Sequence, residues 1–153
     1  PGCEARTLAT DRPFRILFFG RIMAYKGLPL LIEAIESLHR DGLPISLGVA
    51  GEGDLGASRD RLEALRAEII NRWIPDDETT ALLARYDAMA CSHIDASARG
   101  LANAIRRLTT EPGLYDSIGR HLAATRDDRS MASFVTALTR ALTAKALSSP
   151  EAR

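Results

Sequence analysis

Two rhythms alternate along the chain. Short, largely apolar runs occur at Phe14–Phe19, Pro44–Ala50 and Tyr86–Cys91, and a shorter, mixed one at Ile69–Ile74. Each has the length of a strand buried on both faces. Between them, apolar residues return at helical spacing. Leu28, Leu31, Ile32, Ile35 and Leu38 share one helical face, Pro29 sits in the tolerant first turn, and Asp41-Gly42 ends the helix with Gly42 at C′. Ser58 is expected to cap a second helix through about Ala67, with Leu62 and Leu65 inward. Pro75-Asp76-Asp77 reads as a turn, with Asp77 capping a short helix over Glu78–Ala84. The order βα, βα, βα, β predicts an α/β fold: a short parallel sheet of about four strands between helical layers, joined by right-handed crossovers.

The pattern changes after Cys91. Ser92–Arg99 reads as a loop, and Gly100–Thr110 as a helix with Leu101, Ala104, Ile105 and Leu108 on one face. A further helix begins near Glu111-Pro112, with Leu114, Ile118 and Leu122 inward. A last one, capped by Ser130, carries Phe134, Val135, Leu138 and Leu142. Residues 1–12 form a polar lead-in or linker, residues 13–147 a single domain, and 148–153 a frayed tail.

Composition narrows the class. The chain has 153 residues, of which 46% are apolar, so one domain with a sizeable core is expected. Twenty basic and twenty acidic residues cancel, which gives no general attraction to nucleic acid or an anionic membrane. Two cysteines, Cys3 and Cys91, stand outside any metal-binding spacing. A reducing, cytoplasmic setting is therefore expected. No run has the length of a membrane span, and Pro1–Asp11 lacks the apolar stretch of a signal peptide. The absence of an initiating methionine suggests a piece of a longer chain.

The candidate chemistry concentrates in Phe14–Gly27. A strand breaks at Gly20, presents Arg21 and Lys26, and at Gly27 enters a helix. Strand, glycine turn, fixed cations and helix N-terminus together suit a phosphate, as in a Rossmann-like half-domain. Gly51-Glu52-Gly53 follows the second strand and lies at the same sheet edge. It serves either as a plain turn or as a place of close ligand approach. His93 is more simply a structural residue than a base, since no partner is visible beside it.

These residues resemble a known family. Gly20-Arg21-x4-Lys26-Gly27 after an apolar strand, a Leu/Ala-rich helix and a strand into Gly51-Glu52-Gly53 resemble the C-terminal domain of retaining GT-B glycosyltransferases, glycosyltransferase family 4 or group 1. Leu83-Ala84-Arg85-Tyr86-Asp87-Ala88 resembles the run into the family's fourth strand. Leu101–Leu108 followed by Glu111-Pro112 resembles its closing helices. The resemblance covers nearly all of residues 14–145. It implies half of a GT-B fold that binds a nucleotide-diphosphate sugar as donor and needs no metal or other cofactor. Arg21 and Lys26 would hold the diphosphate and stabilise the charge on the leaving group. Gly20, Gly27, Gly51, Glu52 and Gly53 would lie close to the nucleotide, and Arg72, Trp73 and Ile74 would contact the base, largely through backbone.

There are two departures from the family pattern. The family's Glu-x7-Glu motif is broken: Asp95 stands where the first Glu is expected, and near Ser97–Ala98 the chain passes straight to a later helix. The N-terminal GT-B domain, which binds the acceptor, is not represented, so a separate N-terminal domain is an expected partner. The alternative expectation is a non-catalytic nucleotide- or phosphate-binding or interaction domain. Loss of the last strands would expose a sheet edge and favour self-association.

Overall fold

A computed structural model of the chain describes residues 7–90 and 97–125. Its elements, in order, are β1 (Phe14–Phe19), a short 3-10 turn (Ala24–Lys26), α1 (Leu28–Arg40), β2 (Ile45–Ala50), α2 (Ser58–Ala64), β3 (Glu68–Ile70), α3 (Asp76–Ala84), β4 (Ala88–Ala90), α4 (Ala98–Thr110) and α5 (Leu114–Ala124). The sheet is four-stranded and wholly parallel, in the order β3-β2-β1-β4. This is the α/β, Rossmann-like half-domain that the alternation of strands and helices predicts. Leu8–Leu114 forms one compact unit, and α5 beyond its first residue falls in a second.

The long runs fold as expected. β1 pairs with β2 along its whole length, from Phe14 opposite Ile45 to Phe19 opposite Ala50. Because side chains alternate, Phe14, Ile16 and Phe18 point to one face of the sheet, and Arg15, Leu17 and Phe19 to the other. α1 buries the predicted stripe of Leu28, Leu31, Ile32, Ile35 and Leu38. It packs against β2 and α2, and α4 packs against α1. α1 ends in a Schellman motif: Leu43 N–H donates to Leu38 O and Gly42 N–H to His39 O, both at 3.0 Å, with Gly42 left-handed at C′.

The opposite face of the sheet carries a second cluster of Leu17, Ala50, Ile74, Leu82 and Tyr86, flanked by Phe19 and Ile70. Its centre is an aromatic ring lying on bare backbone. A Cβ on Gly48 would stand 2.2 Å from the Tyr86 hydroxyl oxygen. That hydroxyl donates to Glu68 at 2.9 Å, and Arg85 holds the same carboxylate through both oxygens at 2.7 Å. Burial, reinforced by the Glu68 bond, pushes the Tyr86 phenol up to about 12, so it remains a donor at neutral pH.

Several boundaries move. β3 and β4 keep only three residues each. Arg72, Trp73 and Ile74 leave the sheet after β3, and Ile74 is buried in the second cluster instead. Ser58 is the first residue of α2 rather than its cap, and α2 stops at Ala64 because Arg66 turns left-handed. α3 starts at Asp76 with Pro75, not Asp77, at its N-cap. α4 starts at Ala98, where the Ser97 hydroxyl accepts from Gly100 N–H. Its inward face carries Ala102 and Ile105, with Ala104 exposed. α5 buries none of its residues, and Ile118 and Leu122 are exposed. Cys91, His93, the Ser130 helix and the tail lie outside the described residues. No helix among the described residues is long and apolar enough to cross a membrane.

A buried carboxylate fixes the start of β4. Asp87 accepts two bonds from Arg12, at 2.6 and 2.7 Å, and one from the Arg15 backbone at 2.8 Å. Its own N–H donates to Arg15 O at 2.8 Å. Burial alone would raise the Asp87 pKa. The bonds from Arg12 and Arg15 outweigh that and hold it below the ordinary aspartate range.

Two predictions follow from these contacts. Gly48→Ala should lower stability by about 2 kcal/mol in urea denaturation, because the Tyr86 ring must leave its seat. Gly48→Ala combined with Tyr86→Ala should cost less than the sum of the two single changes. The folded pKa of Asp87 lies below its unfolded value. Its stabilisation is therefore present above pH ~4 and is lost as pH falls through the folded value. Asp87→Asn should cost about 2 kcal/mol at pH 7 and flatten the acid limb of a stability–pH curve. An unchanged acid limb would disprove this role.

Candidate functional site

The carboxyl ends of β1, β2 and β3 meet at a cleft. In open parallel sheets this is the edge where ligands bind, since loops and helix starts leave a crevice there. The cleft has a volume of about 250 Å³. It is lined by Phe19, Gly20 and Arg21 from the end of β1, Gly51 and Glu52 from the end of β2, and Trp73, Ile74, Asp76 and Thr79 from the segment after β3 and the start of α3.

Backbone approach shapes the lining. Gly20 N–H donates to Ala50 O at 3.0 Å, Gly51 N–H to Ile70 O at 3.0 Å, and Ile22 N–H to Glu52 O at 2.9 Å. Ile22 and Gly53 form an isolated parallel bridge, so the chains stay paired beyond the strands. The approach leaves no room for side chains. A Cβ on Gly51 would lie 2.0 Å from Gly20 O, and one on Gly53 would lie 2.3 Å from Ile22 O. Both glycines also have positive φ, 143° and 156°. Asn71 secures the turn from the third strand. Its side-chain oxygen accepts from Gly53 N–H at 3.2 Å, and its amide donates to Gly53 O at 3.0 Å.

The side chains on this frame are unevenly placed. Arg21 is exposed and, among the described residues, makes no side-chain ion pair or hydrogen bond. Lys26 lies at the end of the 3-10 turn, with its Nζ 3.5 Å from where a Cβ on Gly20 would stand. Lys26 thus reaches the Gly20 corner, and Arg21 follows Gly20 in the cleft lining. Gly27 is left-handed and serves as the N-cap of α1. Trp73 is 68% exposed at the rim, so packing does not account for its ring. Two carboxylates, Glu52 and Asp76, share the cleft with Arg21.

Of the residues singled out from sequence, Gly20, Arg21, Gly51, Glu52, Trp73 and Ile74 are brought together in the cleft lining. Lys26 adjoins it through Gly20, while Gly53 and Gly27 shape the backbone behind it. Arg72 is directed elsewhere: its Nη2 lies 2.5 Å from Glu78 and its Nη1 3.0 Å from Trp73 O. Asp95 lies outside the described residues. Sequence reasoning missed Asn71, Asp76 and Thr79. Asn71 gives no signal, because it falls inside the stretch Ile69–Ile74 expected as the third strand. Asp76 reads from sequence only as part of a turn, and Thr79 only as part of a short helix.

Comparison with protein-family models, with curated proteins and with solved structures finds no match for this chain. The reading of the cleft therefore stands on its geometry. Gly51→Ala should lower stability by about 3 kcal/mol, because the clash is with backbone and no rotamer relieves it. A urea midpoint equal to wild type would refute the close approach.

Proposed function

We propose that the chain is a nucleotide-diphosphate-sugar-binding domain that works in retaining sugar transfer. The observation that carries this reading is that Arg21 lines a crevice at the carboxyl edge of a parallel sheet while Lys26 Nζ stands beside Gly20 of the same lining. Arg21 offers a planar fork and Lys26 a point charge, the pairing that suits a diphosphate. In the transfer step, the sugar–phosphate bond breaks and negative charge grows on the departing diphosphate. Two cations there would stabilise the transition state more than the ground state.

The other lining groups refine the ligand class. The exposed Trp73 ring at the rim offers a face on which a base can stack. Glu52 and Asp76 would repel a bare polyanion. They favour a ligand that also presents hydroxyl donors, as ribose and sugar do. The volume of about 250 Å³ falls below that of a pocket enclosing a drug-sized ligand, roughly 300–1,000 Å³. It suits part of a nucleotide-sugar, with a second domain covering the remainder.

Calorimetric titration of the chain with UDP, GDP and ADP tests this reading. One of them should bind, and Arg21→Ala and Lys26→Ala should each weaken binding about tenfold or more. No binding by any of the three, or affinity unchanged in both variants, would overturn it. Binding without transfer or hydrolysis of a labelled nucleotide-sugar would favour a non-catalytic nucleotide-binding domain.

A further inference from the structure

The opposite edge of the sheet holds a second polar cavity, of about 210 Å³, among Arg15, Ser46, Arg66, Glu68, Arg85 and Tyr86. It lies at the amino-terminal side of the strands, away from the cleft. Arg15 and Ser46 are register partners on β1 and β2, and Glu68 opens β3 opposite Gly48. Arg15, Ser46 and Glu68 therefore share one face of the sheet.

The charges here do not cancel. Three arginines and one glutamate line the cavity. Glu68 is already engaged by Arg85 and by the Tyr86 hydroxyl. Arg15 makes only a long contact, 3.4 Å, to Arg85 O. The Arg66 side chain has no hydrogen bond or ion pair among the described residues, and neither does the Ser46 hydroxyl. Two positive charges and one hydroxyl donor are left over around a small cavity.

Arg66 is also conformationally out of place. α2 ends in a Schellman motif, with Ala67 N–H donating to Leu62 O and Arg66 N–H to Glu63 O, both at 2.9 Å. Arg66 thus occupies the left-handed C′ position with φ 53°. At the corresponding position after α1 the chain has Gly42. A β-carbon in this region is disfavoured, and glycine avoids the cost. Local backbone preference therefore argues against arginine at 66.

We propose that this cavity is a binding site for a phosphate dianion, held by Arg15 and Arg66 with the Ser46 hydroxyl as a further donor. The excess charge matches a dianion, and paired guanidinium forks suit its oxygens. The group can come as inorganic phosphate or as the phosphate of a small monoester. The site does not depend on the nucleotide reading of the cleft.

The test uses the whole chain, titrated with inorganic phosphate and separately with glycerol 3-phosphate. Binding is read by calorimetry, by thermal shift and by amide chemical-shift changes. Phosphate should raise the melting temperature of the wild type and shift the amides of Ser46, Arg66 and Glu68. Arg66→Gly should give opposite signs: a melting temperature about equal to wild type or higher without ligand, and phosphate affinity down about tenfold or more. Arg15→Gln should weaken phosphate similarly. Tighter binding of glycerol 3-phosphate supports the site with a monoester as its ligand, and tighter inorganic phosphate supports it with the free ion. Unchanged affinity in both variants, or shifts confined to Gly20, Arg21 and Gly51, would overturn the proposal.

Discussion

The close approach of backbone to backbone at the ends of β1 and β2 is the constraint on which the candidate site depends. Gly20 O occupies the space where a Cβ on Gly51 would stand, and Ile22 O does the same for Gly53. Because the two chains keep pairing past their strands, Arg21 leaves the sheet at a fixed point, and the turn that ends in Lys26 begins from it. Asn71 brings the exit from β3 to the same place by holding both polar groups of the Gly53 backbone. The cleft is therefore made of hydrogen-bonded main chain on one side and side chains on the other. Such a frame costs little to hold in shape when a ligand arrives.

The opposite edge of the sheet is organised by charge. Asp87 fastens β4 to Arg12 and to the backbone of β1. Arg85 and Tyr86, its two predecessors, reach across to Glu68 at the start of β3. One short segment thus ties both outer strands to the centre. This suits strands of three residues, whose ladder bonds alone are few.

Legibility followed the physics that produced each element. β1, α1 and β2 could be read because their burial is continuous or strictly periodic, and Gly42 marked the end of α1. β3 and β4 are shorter than expected because an isolated apolar residue beyond a strand reports burial, not pairing. Ile74 is buried against Leu17 and Leu82 after the chain has left the sheet. The end of α2 was misjudged because its left-handed residue is an arginine, which carries no sequence signal for that conformation. In the site, the glycines and Arg21 were legible from their spacing after a strand. Asn71 was not, since its partner is backbone 18 residues away. Arg72 is absent from the cleft lining, and the sequence does not show that its guanidinium pairs with Glu78.

The fit of the Tyr86 ring over Gly48 bears on how this sequence can diverge. Neither position can drift alone. A methyl group at 48 is blocked while the ring is present. Removing the ring first opens a void and leaves Glu68 without one of its donors. Each single step is harmful, although a combined exchange could restore a packed interior. Descendants of this chain should therefore keep both residues or replace both, with few lineages caught between. The pair can serve as a marker for recognising distant kin whose other residues have changed.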